Sequence, residues 1–170
     1  MAFAESLMSG SLVIIPTYNE KENIAAIIDA VLKLSPFIDI LVVDDGSPDG
    51  TGSIVKSLQS AESRIHILER AGKLGLGTAY ITGFKWGLEK GYDYLIEMDA
   101  DFSHPPLKIL ELLKACEVGA DVAIGSRYFK GGKVTNWPWD RLFLSYGASL
   151  YVRLITNMPV KDPTAGFVCY

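Results

Sequence analysis

Four apolar runs, each halted by a cluster of polar and turn-forming residues, restrict this chain to one broad architecture. Leu12-Val13-Ile14-Ile15 stops at Pro16-Thr17-Tyr18-Asn19-Glu20, and Ile38 to Val43 stops at Asp44-Asp45-Gly46-Ser47-Pro48-Asp49-Gly50. Tyr92-Asp93-Tyr94-Leu95-Ile96 runs into Glu97-Met98-Asp99-Ala100-Asp101, and a run from Asp121 ends at Ser126-Arg127. Short runs rich in β-branched and aromatic residues, bounded by turn signals, read as buried strands. Helical periodicity fills the gaps between them. Strand and helix in alternation predict an α/β fold with a mostly parallel sheet covered by helices on both faces.

The helices are read from stripe and cap. Ile24, Ile27, Ile28, Val31 and Leu32 recur at core-facing spacing, with Asn19 as the expected cap and Glu22 in capping-box position. Ile54, Val55 and Leu58 mark a second, short helix, and Arg64 to Leu68 alternates as a further strand. Gly72-Lys73-Leu74-Gly75-Leu76-Gly77 opens a helix running to about Lys90. Pro105-Pro106 opens another that is expected to bury Leu107, Leu110 and Leu113. Arg141 to Thr156 reads as an amphipathic helix and Ala165 to Tyr170 as a closing strand. The reading is of one domain over residues 11–170.

Bulk properties exclude several classes. With 170 residues, 49% hydrophobic and 21% charged, the chain has a globular rather than a disordered balance. A net charge of -4 with scattered basic residues argues against a nucleic-acid partner. Cys116 and Cys169 lack metal-ligand spacing and read as free thiols of a reducing cytoplasm. No apolar run approaches the roughly 18–20 residues that span a bilayer, and the first residues do not resemble a signal peptide.

The acids carry the chemistry. In open parallel sheets ligands bind at the carboxyl ends of strands, where strand order reverses, and the polar clusters here fall at those ends. Treated as the end of a strand, Asp99 and Asp101 alternate onto one side. Two like charges there repel and lose hydration unless a divalent cation sits between them and an anionic ligand. The plainer alternative is two solvated loop acids. The glycine run fits neither a Walker loop nor a dinucleotide fingerprint, because Leu74 follows Lys73. It is read equally well as a tight turn or as a phosphate contact. His104 fixes a loop or serves as ligand or acid–base group. Trp137 and Trp139 either pack or meet a lipid surface.

Together these segments resemble one family. Pro16-Thr17-Tyr18-Asn19-Glu20, Val43-Asp44-Asp45-Gly46-Ser47-Pro48-Asp49-Gly50-Thr51, Gly75-Leu76-Gly77-Thr78-Ala79-Tyr80, Met98-Asp99-Ala100-Asp101-Phe102-Ser103-His104-Pro105-Pro106, Gly125-Ser126-Arg127-Tyr128 and Asp162-Pro163-Thr164-Ala165-Gly166-Phe167 occur in that order. The chain is similar to inverting family 2 glycosyltransferases of the dolichyl- or polyprenyl-phosphate mannosyltransferase type. The resemblance implies a GT-A (Rossmann-like) fold, a nucleotide-sugar donor such as GDP-mannose or UDP-glucose, and Mg²⁺ or Mn²⁺. It implies that Pro16, Tyr18, Glu20, Asp44 and Asp45 line the nucleoside pocket and that Asp99, Ala100 and Asp101 form the DxD motif. Asp99 and Asp101 would hold the metal, Asp101 most directly. Arg127 and Arg141 would hold acceptor phosphate, and Asp162 stands at the catalytic aspartate of related enzymes, with Asp101 and Arg127 also catalytic.

There are departures. Ser103 stands where many members have a glutamine that contacts the metal, and Val168 where an arginine often follows Gly-Phe. The chain is also expected to stop before the end of the family's catalytic domain. The implied function is transfer of a hexose to a polyprenyl or dolichyl phosphate by a cytoplasmic protein that meets the membrane peripherally, through Trp137, Trp139, Leu142 and Phe143. Three alternatives stand beside it: a sugar-hydroxyl acceptor with Asp162 as base, a nucleotidyltransferase, and a nucleotide-binding fragment without activity. Pro16 to Glu20 counts against the nucleotidyltransferase, which wants a glycine- and arginine-rich loop after the first strand.

Overall fold

A computed structural model describes residues 10–126, 152, 155, 157, 160, 162 and 165–170. Strands β1 (Ser11–Thr17), β2 (Ile38–Asp44), β3 (Ile65–Glu69), β4 (Tyr94–Glu97), β5 (Ala123–Ile124) and β6 (Val168–Cys169) form a sheet in the order β3-β2-β1-β4-β6-β5 among the described residues. The first four strands are parallel, and β6 runs antiparallel between β4 and β5. Strand order reverses between β1 and β4, so the loops that follow these two strands diverge and leave a crevice between them.

Alternation along β1 explains the layers. Val13 and Ile15 face one side, against α1 (Ile24–Leu32), α2 (Thr51–Ala61) and α4 (Ile109–Glu117). Leu12 and Ile14 face the other, against Ala79 and Tyr80 of α3 (Leu76–Lys90). The α3 helix lies close on the sheet. A Cβ on Gly83 would meet Ile14 Cγ2 at 2.5 Å, and one on Gly87 would meet Leu95 Cδ2 at 2.6 Å. Glycine at these two turns allows an approach that any side chain would block.

Several sequence expectations shift. The first helix begins at Ile24 rather than after Asn19. Asn19 adopts φ +63° and its N–H is taken by Ser47, while the Glu20 carbonyl accepts from Asn23 and Ile24. A turn thus displaces the capping box. Leu107 is exposed because Pro106–Lys108 forms a 3₁₀ turn, which moves the buried stripe to Ile109, Leu112, Leu113 and Cys116. The first strand runs through Pro16 to Thr17, whereas the fifth and last strands contract to two residues each. β4 ends at Glu97, so strand alternation does not orient Asp99 and Asp101; a turn does. Cys116 and Cys169 are free and buried. Arg127, Trp137, Trp139, Arg141, Leu142 and Phe143, and nearly all of 141–156, lie outside the described residues.

Candidate functional site

The crevice between β1 and β4 opens into a cavity of about 270 Å³. Its walls come from three loops. Pro16 and Thr17 end β1 and Tyr18 and Glu20 follow it, Asp99, Ala100 and Asp101 follow β4, and Lys73 and Gly75 lead into α3 at Leu76, with Asp45 just past the end of β2. Thus every residue expected in the nucleoside pocket or the DxD motif lines this cavity, except Asp44.

Asp44 is turned beneath the loop and is 2% exposed. Its Oδ1 accepts from the Thr17 hydroxyl at 2.8 Å and the Ser47 hydroxyl at 2.6 Å, and its Oδ2 from the Ser47 N–H at 2.9 Å. Further rungs follow the same logic. The N–H groups of Asn19, Glu20 and Lys21 donate to Ser47 Oγ, Thr51 Oγ1 and Asp49 Oδ2 at 3.0, 3.1 and 3.0 Å. Short polar side chains of the Asp-Asp-Gly-Ser cluster therefore hold the β1 loop by its backbone. Asp49 is itself held below the usual carboxylate range, chiefly by the Thr51 hydroxyl.

The β4 side is acidic and under-compensated. Burial pushes the Asp99 carboxyl up, and the neighbouring Asp101 pushes it further; the Tyr80 hydroxyl (3.3 Å) and His104 oppose this, while Glu20 adds to it. Glu97, just below, is pushed up to about 7 by burial and by Asp99. Asp101 is exposed and accepts from the Ser103 N–H at 2.9 Å, in a turn where Phe102 takes φ +58°. His104 stacks on Phe167, with ring centroids 4.9 Å apart, which favours its loop-fixing role. The segment entering β6 passes close by, since a Cβ on Gly166 would stand 3.2 Å from Asp99 Oδ2. Asp162 is 1% exposed, and its carbonyl accepts from the Ala165 N–H at the head of that segment.

The residues present suit a hard divalent cation. Asp99 and Asp101 offer neighbouring oxygen donors, and at Asp99 burial and nearby acids disfavour negative charge without a counter-charge. No set of three His, Cys, Asp or Glu side chains is gathered for a metal among the described residues. The two carboxylates would thus be the protein's share, with phosphate and water completing the shell.

Four participants were assigned no role from the sequence. Arg70 pairs with Asp45, Lys73 lies 4.6 Å over the Tyr18 ring, Tyr80 donates to Asp99, and Glu97 shares its field. Lys73, Tyr80 and Glu97 fell inside segments the sequence singles out. Arg70 stands just past the end of a strand and outside every motif, where composition gives no signal.

The model of glycosyl transferase family 2 matches residues 12–169. A polyprenol monophosphomannose synthase of Mycolicibacterium smegmatis is 53% identical over 161 residues, 94% of this chain and 61% of that protein. An undecaprenyl-phosphate mannosyltransferase of Micrococcus luteus is 48% identical over 159 residues, 94% of this chain and 65% of that protein. The chain therefore spans less than two thirds of the length of either. Among solved structures, glucosyl-3-phosphoglycerate synthase of Mycobacterium tuberculosis, with Mn²⁺, UDP and phosphoglyceric acid, superposes over 98% of this chain and 57% of its own. The TM-score is 0.65 at 20% identity, a likeness of fold. A mannosyltransferase of Pyrobaculum calidifontis, with GDP-Man and Mn²⁺, matches 68% of this chain and 34% of its own, at 25% identity and TM-score 0.54. The fold is that of the GT-A glycosyltransferases, and the chain belongs to glycosyl transferase family 2.

Proposed function

We propose that this family 2 glycosyltransferase moves mannose from a nucleotide sugar to a polyprenyl phosphate, with Asp99 and Asp101 holding Mg²⁺ or Mn²⁺. The observation that carries the reading is the cavity at the reversal of strand order, walled on one side by Tyr18 and Asp45 and on the other by the paired carboxylates. The acceptor and the sugar rest on the names of the two relatives, both mannosyl enzymes of lipid phosphates.

The reaction asks little proton transfer of the protein. A phosphate monoester has a second pKa of about 6, so at neutral pH its oxygen is already a competent nucleophile. That oxygen bonds to the anomeric carbon as the bond from this carbon to the diphosphate oxygen breaks, with inversion. Bound at Asp99 and Asp101, a divalent cation would supply the charge that offsets the departing diphosphate. Tyr18 and the stapled β1 loop hold the nucleoside, which leaves positioning as the main contribution. Arg127 and Arg141 are proposed to grip the acceptor phosphate, where the guanidinium fork matches its oxygens. Asp162, buried at the head of the β6 segment, is then not required as a base. Among the described residues no helix is long and apolar enough to cross a membrane. Access to the lipid is proposed through peripheral contact at Trp137, Trp139, Leu142 and Phe143.

Calorimetry with GDP and with UDP, each with and without Mn²⁺, tests the donor site. Metal-dependent binding of one nucleotide is expected. Asp101→Asn should remove the metal-dependent part without moving the urea midpoint, because Asp101 is exposed beyond the strand. Equal affinity with and without metal in the parent chain refutes the cation site. Transfer of mannose from GDP-mannose to a short-chain polyprenyl phosphate, against glucose from UDP-glucose, tests acceptor and sugar.

A further inference from the structure

The guanidinium of Arg70 stands where the end of β2, the glycine loop and the start of α3 meet, and the transfer chemistry makes no use of it. Its Nε and Nη2 both engage the Asp45 carboxylate, and the two side chains are only 9% and 8% exposed. Nη1 donates to Thr78 Oγ1 at 2.8 Å, and Nη2 also reaches the Gly75 carbonyl at 3.1 Å. The other Asp45 oxygen accepts from the Leu74 N–H at 3.2 Å. The Arg70 N–H is itself fixed to the Asp44 carbonyl at 2.8 Å. One planar cation thereby ties the loop, at both ends, to Asp45 just past the end of β2.

Apart from the Thr78 hydroxyl, which lies 3.0 and 2.8 Å from the Leu74 and Gly75 carbonyls it can donate to, the loop has little else to hold it. Leu74 and Leu76 are 62% and 56% exposed, so apolar packing contributes little. Gly75 precedes α3 at φ +99° with no side-chain cap. Yet this loop forms one wall of the cavity through Lys73, Gly75 and Leu76, and it carries the Lys73 ammonium over Tyr18 on the opposite wall.

We propose that Arg70 is a positioning residue for the donor: by clamping Asp45 to the start of α3 it sets the place of the glycine loop, and so the width of the nucleotide cavity. The inference rests on the nucleotide-sugar reading of that cavity. Lysine cannot substitute. An ammonium is a single point that reaches either Asp45 or the Gly75–Thr78 turn, whereas the guanidinium fork satisfies both together.

Two variants and two readouts test it. Arg70→Lys keeps the charge, and Thr78→Val removes one anchor of Arg70, together with the hydroxyl's own contact to the Leu74 and Gly75 carbonyls, from an exposed position that does not support the core. Affinity for GDP and for UDP, each with Mn²⁺, is measured by calorimetry; trypsin cleavage after Lys73 is followed by mass spectrometry. We expect affinity for the bound nucleotide to fall tenfold or more in Arg70→Lys and severalfold in Thr78→Val. The double variant should lose no more than Arg70→Lys alone, since both act through one loop. Cleavage after Lys73 should speed up in both and be suppressed by nucleotide in the parent, while the urea midpoint of Thr78→Val stays put. A purely structural arginine would lower the midpoint without this pattern. If Arg70→Lys does not fold, Thr78→Val decides alone: parental affinity and parental cleavage overturn the proposal. A parent chain that binds neither nucleotide overturns the donor reading and this inference with it. Tight parental binding that both variants retain overturns the role of Arg70 alone.

Discussion

Replacing Asp44 separates a loop-building role from a ligand-binding one. The carboxylate accepts three hydrogen bonds at 2% exposure, from the Thr17 hydroxyl and from the hydroxyl and N–H of Ser47. Hydrogen bonds to a charged acceptor contribute about 1.5–3 kcal/mol each, but the sum is not lost on truncation, because freed donors recover water where they can. Ser47 is half-buried and recovers part of its hydration, whereas Thr17 is 4% exposed and cannot. Asp44→Ala should therefore cost about 3 kcal/mol. Asp44→Asn keeps one acceptor oxygen for the Ser47 N–H and turns its amide toward hydroxyls that can rotate to accept, so about 1–2 kcal/mol is expected. Urea unfolding followed by circular dichroism measures both, with GDP or UDP affinity in the presence of Mn²⁺ alongside. Binding should weaken in Asp44→Asn but persist, because the altered group lies beneath the cavity wall. Loss of binding in Asp44→Asn with an unchanged urea midpoint would refute the reasoning and put the carboxylate in direct contact with nucleotide.

Gly83→Ala should destabilise by about 1–2 kcal/mol: overpacking against Ile14, which is fully buried in a central strand, outweighs the gain of about 1 kcal/mol in helix preference. A neutral or raised urea midpoint would show that α3 can ride away from the sheet. Asp49 is held below the ordinary aspartate value, first by the Thr51 hydroxyl, so the folded state binds fewer protons than the unfolded one in that region. Its stabilising effect is full above the unfolded value and fades as pH falls through the lower folded one. The gap in urea midpoint between the parent and Asp49→Asn should therefore be open at pH 6 and narrow under acid, and a gap constant with pH would contradict the assignment.

The layered sheet was legible because its strands are continuous apolar runs, which only a sheet covered on both faces requires. What stayed hidden was set by contacts rather than by local preference. Asn19 and Glu22 carry a sound capping signature, yet the backbone N–H of Asn19 is taken by Ser47, twenty-eight residues on, and the helix starts later. Leu107 belongs to an apolar stripe on paper, but the two prolines impose a 3₁₀ turn that rotates it out. Nor did the sequence reveal that the last strand enters antiparallel between β4 and β5. Two-residue strands carry no periodicity to read.

The site divides along the same line. Residues whose chemistry is local, such as the Asp99 and Asp101 pair, were found through their spacing, although the supposed geometry was wrong. A turn, not strand alternation, places them, and it does so unequally: Asp99 is largely withdrawn under Tyr80 and Gly166, while Asp101 faces solvent. That inequality has a consequence for how the pair would work. A withdrawn carboxyl pushed upward by burial gains most from a cation, and an exposed one costs least to bring to it. With a cation bound, Asp101 would be the ligand reached from solvent and Asp99 the one fixed in the cavity wall. Arg70, by contrast, follows an ordinary alternating strand and shows no motif, because its meaning lies in three partners drawn from three separate elements. Only the folded chain brings Asp45, Gly75 and Thr78 within reach of one guanidinium.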